Sequence, residues 1–264
     1  MRITGNTVLI TGASMGIGAA TAAEFAKHGA KVLLVARSAD KLDAVARAIV
    51  DAGGAASAHP ADISTVNGVA AVLDEIRRDH GTPDVLVNNA GAGRFRFIEE
   101  TDMTEFAEMA ALPYLAAGYF TTGLIPDMLR RGSGHIVNVN SPVSRVVWPS
   151  AAGYAASRWA LRGLTEALRA DLRGTGVRVT EVIPGEVASQ YFVNNPGSTE
   201  RLPKIAKLLP RLTPEQVATR LVRAVATNRK EVIFPMLLRA LTTTARLAPG
   251  IVNGVVRAGG ARRA

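Results

Sequence analysis

Three glycines near the start of the chain have the spacing that phosphate binding requires. Segment 11–18 places them at Gly12, Gly16 and Gly18, between an apolar strand-like run and a helical run. Glycines there permit a tight turn, close approach of the backbone to phosphate, and close contact of helix with strand. Free amides at the helix N-terminus then bind pyrophosphate oxygens. In this context the pattern predicts a dinucleotide site, and the alternative is a turn without a ligand.

The residue that ends the second strand-like run indicates which dinucleotide is bound. That residue is Arg37, and no acidic side chain accompanies it in the run 34–37. An acid here would accept hydrogen bonds from a ribose 2′-hydroxyl, whereas a guanidinium suits a 2′-phosphate. The sequence therefore favours NADP(H) over NAD(H). The alternative is that Arg37 lies on the solvated surface, and the missing acid still argues against NAD.

Strand-like and helical runs alternate over most of the chain. Strands rich in β-branched residues are predicted at 7–10, 32–35, 85–87, 136–139 and 177–182. Helices are predicted at 19–27, 41–52, 66–79 and 155–173, and a further helix begins at Thr213. Continuous apolar strands flanked by helices imply a parallel sheet covered on both faces. The predicted fold class is therefore α/β, a Rossmann-like doubly wound parallel sheet with helices on both faces.

Length and composition limit the class of protein. The length of 264 residues suits one domain. The sequence has no cysteine, which excludes disulfides, thiolate metal sites and cysteine nucleophiles. The uncharged window 109–126 approaches membrane-span length, but its prolines and glycines favour a helix buried in protein. The start of the sequence does not resemble a secretory signal, so we expect a cytoplasmic protein. The four histidines show no paired spacing for a metal, and no metal site is expected.

Positive charge is concentrated towards the C-terminus. Residues 1–196 hold 18 Lys/Arg and 19 Asp/Glu, whereas residues 197–264 hold 13 and 3, which together give the net charge of +9. We predict one dinucleotide-binding domain over 1–236 and a basic amphipathic tail over 237–264. Within the domain, residues 189–212 fit either an ordinary surface loop or a mobile flap over a substrate pocket.

The basic tail is compatible with three kinds of contact. Its apolar residues recur with helical spacing around an interruption at Pro249-Gly250, and they are Leu238, Leu241, Ala245, Ala248, Val252 and Val255. The simplest interpretation is a terminal helix packed on the domain or on a neighbouring subunit. A basic amphipathic helix also fits an anionic membrane surface, and an anionic carrier such as an acyl-carrier protein or coenzyme A is a third candidate. Nucleic acid is not expected, because few aromatic rings accompany the charge.

Several motifs now resemble one family, the short-chain dehydrogenases/reductases, over about residues 5–190. They occur in the family's order and are Thr-Gly-x-x-x-Gly-x-Gly at 11–18, Asp62-Ile63, Asn88-Asn89-Ala90-Gly91, Ser141 with Tyr154, and Pro184-Gly185-Glu186-Val187. The resemblance, with Arg37, implies cofactor binding by Gly12, Ser14, Met15, Gly16, Ile17, Gly18, Arg37, Asp62, Ile63, Asn89, Ala90, Gly91, Tyr154, Arg158, Pro184, Gly185, Val187 and Ser189. It also implies a homodimer or homotetramer.

The same resemblance implies the catalytic residues. In the family a tyrosine exchanges a proton with the substrate oxygen while hydride moves at the nicotinamide, and a serine hydrogen-bonds that oxygen. Tyr154 and Ser141 occupy these positions. A phenol titrates near pH ~10 unaided, so a base at neutral pH needs a nearby cation. The family's lysine, one helical turn later, is Arg158 here, which keeps the charge but does not readily exchange its proton.

A second departure from the family's pattern affects the same proton route. The usual catalytic asparagine falls at Pro113, which can preserve a helix kink but cannot bind a water through its side chain. We expect an NADP(H)-dependent oxidoreductase that interconverts a lipophilic ketone or aldehyde and an alcohol, because Ser141 and Tyr154 are present and positions 143 and 146–149 are apolar. A slow enzyme, or a catalytically inactive NADP-binding interaction protein, is the alternative.

Overall fold

A seven-stranded parallel sheet forms the centre of the computed structural model, which describes residues 1–189, 195 and 197–263. The strands are β1 (Thr7–Thr11), β2 (Lys31–Ala36), β3 (Ala55–Pro60), β4 (Val85–Asn88), β5 (Gly134–Val139), β6 (Val177–Pro184) and β7 (Glu231–Phe234). Their order in the sheet is β3-β2-β1-β4-β5-β6-β7, and each neighbouring pair is parallel. The strand order reverses between β1 and β4, which is where a doubly wound sheet opens a crevice for ligands.

Helices cover both faces of the sheet, as the sequence predicts. They are α1 (Gly16–Lys27), α2 (Ala39–Asp51), α3 (Val66–His80), α4 (Met103–Ala110), α5 (Ala116–Arg131), α6 (Ala152–Asp171), α7 (Pro214–Ala226), α8 (Met236–Leu247) and α9 (Pro249–Ala258). Phe25 of α1 and Leu221 of α7 lie in the apolar cluster on one face, and Ile76 of α3 and Phe120 of α5 lie in the cluster on the other. The doubly wound α/β fold class is therefore confirmed.

The central strands are apolar on both faces, which explains their uninterrupted hydrophobic runs. Along β1, Val8 and Ile10 join the cluster that contains α1, whereas Leu9 joins the cluster that contains α3 and α5. All three side chains are fully buried. Successive side chains of a strand point to opposite faces, so a strand covered on both sides requires apolar residues throughout.

Pro113 lies where two helices meet. It is buried in a single π-helical turn, Ala111–Leu115, that joins α4 to α5. A proline lacks the N–H for an intrahelical hydrogen bond and clashes with the preceding turn, so a wider turn accommodates it. The interruption at Pro113 is therefore a wider helical turn between α4 and α5.

The predicted flap 189–212 is described in part, since 190–194 and 196 lie outside the described residues. Its described portion contains a short 3₁₀ helix, Lys204–Leu208, and the Lys204 N–H donates to the Gly259 carbonyl at 2.9 Å. At its far end, the Leu212 N–H donates to the Glu186 carbonyl at 2.8 Å. The segment is thus tied both to the C-terminal residues and to the loop after β6.

The C-terminal residues form two helices separated at the predicted interruption, Pro249. The predicted stripe ends at Val255, but that residue is 52% exposed and its neighbour Val256 is buried. The backbone of Ala248 leaves the helical region, with φ −136° and ψ 68°. The stripe prediction holds at Val252, which is 4% exposed, and was wrong at Val255, because Val256, four residues after Val252 on the same helical face, takes the buried position. No helix in the described part of the chain has the length and apolar character needed to cross a membrane.

A buried histidine in β5 makes the stability of the fold sensitive to acid. Burial, with smaller contributions from the N-terminal ammonium and Arg178, lowers the pKa of His135 to about 4. The Thr180 hydroxyl donates to the Arg229 carbonyl, so its oxygen accepts a hydrogen bond from His135 Nε2 at 2.7 Å. The buried His135 Nδ1 has no hydrogen-bond partner among the described residues, so protonating it would place an unpaired cation in the interior.

We expect the free energy of unfolding to fall by about 2 kcal/mol through His135 between pH 7.5 and pH 5. The unfolded histidine binds a proton near pH ~6.5 while the folded one does not, so stability is lost as pH falls from there towards 4. Urea unfolding at both pH values measures the change. His135→Gln should remove it, and the exposed control His28→Gln should not. Equal pH dependence in all three proteins would contradict the assignment.

Candidate active site

A cavity of about 700 Å³ opens at the carboxyl ends of the central strands, beside the reversal between β1 and β4. It brings together Ser141, Tyr154 and Arg158 with most of the predicted cofactor residues. Those on its wall are Gly12, Ser14, Met15, Gly16, Ile17, Arg37, Ile63, Asn89, Ala90, Gly91, Pro184, Gly185, Val187 and Ser189. Residues from seven separate segments of the chain therefore converge on one cavity.

The first two motifs are locked together by hydrogen bonds at the ends of β1 and β4. The Thr11 hydroxyl oxygen accepts from the backbone N–H groups of Asn89 and Ala90, both at 3.0 Å. The Asn89 side chain returns two hydrogen bonds, to the carbonyls of Thr11 and Gly12. A side chain at Gly12, where φ is +65°, would place its Cβ 2.8 Å from Ala90 Cα. Only glycine allows this approach, so the glycine-rich turn is held against the strand end.

Two residues of the predicted cofactor set do not line the cavity. Gly18 lies inside α1, where a Cβ would come within 2.2 Å of the Gly12 carbonyl oxygen, so this glycine permits close helix–turn contact. Asp62 accepts hydrogen bonds from the backbone N–H and the hydroxyl of Ser64. These bonds, with a smaller effect of Arg37, lower the pKa of Asp62. Direct contact of either residue with a cofactor stays a prediction.

Cationic and hydroxyl groups surround the cavity at the start of α2. Arg37 lines the wall together with Ser38 and Lys41, and Arg37 is exposed. Ser38 and Lys41 were not among the predicted cofactor residues. Their positions, one and four residues after Arg37, were the available signal, because the first turn of a helix commonly contributes to an anion site. The three side chains provide two positive charges and a donor hydroxyl at one end of the cavity.

Arg158 is fixed within the cavity wall beside Tyr154. Both residues lie on α6 and are 6% exposed. The Arg158 guanidinium carbon lies 5.1 Å from the centroid of the Tyr154 ring, and Nη1 donates to the Val139 carbonyl at 3.0 Å. The expected one-turn spacing therefore places a buried positive charge against the ring. Gly91 provides the space, since a Cβ there would meet Nη2 at 2.5 Å.

Asn140 connects the serine to the arginine, and sequence reasoning missed it. Its Oδ1 accepts from the Ser141 N–H at 2.9 Å, while Nδ2 donates to the Arg158 carbonyl at 3.1 Å and to Glu181 Oε1 at 2.7 Å. The fully buried Glu181 also binds Arg145 at 2.6 Å. These hydrogen bonds fix the backbone of Ser141 relative to the backbone of Arg158. A glutamate inside a predicted strand, followed at once by Val182 and Ile183, was the signal that could have revealed it.

The far end of the cavity is apolar and includes the C-terminal helices. Phe95 packs edge-on against both Trp148 and Tyr154, with ring centroids 5.6 and 5.3 Å apart. Leu241 of α8 and Val256 of α9 line the same cavity. Of the wall predicted at 143–149, positions 146 and 148 reach the cavity, whereas 147 and 149 border a separate groove.

A nicotinamide dinucleotide fits the residues that surround this cavity. The glycine turn at the N-terminus of α1 admits close approach of the backbone to phosphate. The buried Arg158 Nε forms no hydrogen bond with any described residue, so it can serve a ligand hydroxyl. Within the described residues, no group of three or more His, Asp and Glu side chains is placed to hold a metal. The glycine turn and the positive charges at the start of α2 fit an organic cofactor that carries phosphate.

Comparison with known proteins identifies the family to which this site belongs. The family model for short chain dehydrogenases matches residues 6–198. The chain is 33% identical to ketoacyl reductase HetN of Nostoc sp., across 97% of this chain and 89% of that protein. It is also 33% identical to a fatty acyl-CoA reductase of Mycobacterium tuberculosis, across 97% of this chain and 85% of that protein.

A solved structure with the same fold contains NADP. A metagenomic short-chain oxidoreductase in complex with NADP superposes with a TM-score of 0.74 and 33% identity, covering 89% of this chain and 98% of that chain. Its fold, the sequence match and the converging motifs agree. The chain therefore belongs to the short-chain dehydrogenase/reductase family and is an oxidoreductase with a nicotinamide dinucleotide site.

Proposed function

We propose that this chain is an NADP(H)-dependent oxidoreductase that interconverts a lipophilic ketone or aldehyde and the corresponding alcohol. The observation that carries the proposal is one cavity whose wall holds Tyr154 and Ser141 at an apolar end and Arg37 at a cationic end. A hydride donor and a carbonyl substrate can therefore share it. The relatives named for ketoacyl and fatty acyl-CoA reduction support a substrate with a long apolar part.

The residues of the chain have separate tasks in the proposed reaction. When bound, the nicotinamide dinucleotide supplies or accepts the hydride. Ser141 hydrogen-bonds the substrate oxygen, and Tyr154 gives its hydroxyl proton to that oxygen during reduction or takes it during oxidation. The Arg158 cation stabilises the phenolate that remains. Phe95 and Trp148 exclude water from the reacting end, which strengthens these electrostatic effects.

Turnover with a panel of carbonyl compounds tests the proposed activity. We expect NADPH oxidation, followed by absorbance, with ketones or aldehydes that carry a large apolar group, and slower oxidation with small polar ones. Parallel titration of the protein fluorescence with NADPH shows whether the cofactor binds. Binding without turnover across the panel would instead support an inactive NADP-binding protein, which the replacements at Arg158 and Pro113 would then explain.

Arg37→Ala should weaken NADPH binding by about 10- to 100-fold and leave NADH binding nearly unchanged. The guanidinium is proposed to bind the 2′-phosphate that NADH lacks. Loss of a hydrogen bond between charged groups typically raises a dissociation constant by this factor. Fluorescence titration with each nucleotide measures the two dissociation constants. Arg47→Ala, an exposed change on α2 away from the cavity, is the matched control. Tighter binding of NADH than NADPH by the native chain would overturn the preference.

A further inference from the structure

A second groove, of about 730 Å³, lies on the other side of Trp148 from the active-site cavity. It is bounded by the loop after β5, by α6, and by the two C-terminal helices α8 and α9. Among the residues that the structure describes, four arginines line it, namely Arg145, Arg162, Arg246 and Arg257, and no acidic side chain does. The groove therefore collects positive charge from four separate segments of the chain.

Most of this charge is not neutralised within the described structure. Arg145 is paired with Glu181 and Glu231. Arg162 donates to the Ser144 carbonyl at 3.0 Å, a neutral partner. Burial and the charges of Arg145 and Arg246 together lower the pKa of Arg162, so the cations in this groove repel one another. Exposed Arg246 and Arg257 form no ion pair with any described residue. An anion entering the groove would relieve this repulsion.

Two indole rings give the groove an apolar, flat side. The Trp159 N–H donates to the Val143 carbonyl at 2.8 Å, and the ring stays 45% exposed with the Arg162 guanidinium 5.1 Å from its centroid. The Trp148 ring forms the wall shared with the cavity, and its buried N–H donates to no described residue. Arginines beside exposed aromatic surface suit a ligand that combines phosphate with an apolar or planar group.

We propose that this groove is a binding site for the phosphate groups of a phosphorylated ligand, held by Arg162, Arg246 and Arg257 against Trp159. The arginine fork matches two phosphate oxygens at once, and three such side chains favour a ligand with more than one negative charge. A soluble phosphate ester and the headgroup of an anionic lipid share this chemistry. The site is separate from Arg37 and does not depend on turnover.

Intrinsic fluorescence reports on this groove directly, because the only two tryptophans of the sequence are Trp148 and Trp159. The full chain is first saturated with NADP⁺, so that the cofactor site is filled. Coenzyme A, a soluble phosphate ester, is titrated in one arm, and phosphatidylglycerol vesicles are titrated in the other. Because Trp148 also faces the cavity, Trp148→Phe leaves Trp159 as the reporter of the groove alone.

We expect saturable quenching or enhancement of Trp159 emission by at least one probe, weakened by added salt. The double variant Arg246→Gln/Arg257→Gln should weaken binding by about 100-fold, on the order of tenfold for each arginine. Arg173→Gln/Arg239→Gln removes the same charge from exposed positions outside the groove and should bind as the native chain does. The native chain and the two double arginine variants should bind NADP⁺ with equal affinity.

The two arms identify the source of the phosphate. A response to coenzyme A alone assigns a soluble ester, and a response to vesicles alone assigns a lipid headgroup. The proposal is overturned if neither coenzyme A nor the vesicles change the Trp159 emission. That result would be expected if acidic side chains of a second copy of the chain already filled the groove. It also fails if the arginine variant binds as tightly as its charge-matched control, or if Trp148→Phe abolishes the response.

Discussion

Tyr154→Phe should reduce turnover by about 10²- to 10⁴-fold while NADPH binding stays within a few-fold of the native value. The change removes one oxygen and keeps the ring, so the edge-on contact with Phe95 and the stacking of Arg158 are preserved. What is lost is the hydroxyl proposed to exchange a proton with the substrate oxygen. Initial rates of NADPH oxidation and a fluorescence titration measure the two quantities on the same preparation.

Tyr119→Phe is the matched control for this prediction. Tyr119 lies on α5 and packs against the apolar cluster on one face of the sheet, outside the cavity wall. Loss of its hydroxyl should leave turnover unchanged within about twofold, as is usual for substitutions away from an active site. Native-like activity of Tyr154→Phe would contradict the assignment of the proton donor and would direct attention to another group on the cavity wall.

Arg158→Gln should lower kcat by about 10²- to 10³-fold, the usual cost of removing one electrostatic stabiliser from an active site. Glutamine retains a polar end that can reach towards Val139 but has no charge to place against the Tyr154 ring. The phenolate would then form without a nearby cation. The kcat and KM values of both proteins, with circular dichroism to confirm folding, separate lost chemistry from lost binding.

Arg158→Lys distinguishes a working arginine from an impaired one. Lysine keeps the positive charge and restores the exchangeable proton of the usual family residue, although it lacks the planar guanidinium fork. We expect turnover within about tenfold of the native chain, because the buried guanidinium already has a fixed partner and a fixed place over the ring. A gain larger than about 100-fold would show instead that the native arginine limits the reaction.

The fold could be predicted largely because the central strands are long apolar runs. Two edge strands lacked this signal. β3 is alanine-rich, with the sequence AASAHP, and β7 spans four residues, Glu231–Phe234, so neither stood out in the sequence. Each forms by pairing with a neighbouring strand already in the sheet, β2 for the first and β6 for the second. Tertiary pairing of this kind leaves little trace in local composition.

The site was predictable where one motif contains its own geometry, as in the glycine turn at 11–18. It was not predictable where distant segments meet. Asn140 joins Arg158 and Glu181 only after β5, β6 and α6 are assembled. The charged groove likewise depends on how α8 and α9 are laid across Trp148, which a count of basic residues in the tail does not reveal.

Leu241 and Val256 lie on the cavity wall but far along the sequence from Ser141 and Tyr154. The residues that would select the substrate and the residues that would move the proton therefore lie in different parts of the chain. The family model ends at residue 198, whereas these two cavity-lining residues belong to α8 and α9, well after that residue. Exchanges in the last two helices can therefore reshape the space offered to an incoming molecule without disturbing Ser141 or Tyr154. In evolutionary terms, such a layout lets new substrates be acquired by drift in one stretch of sequence while the reactive apparatus is inherited intact.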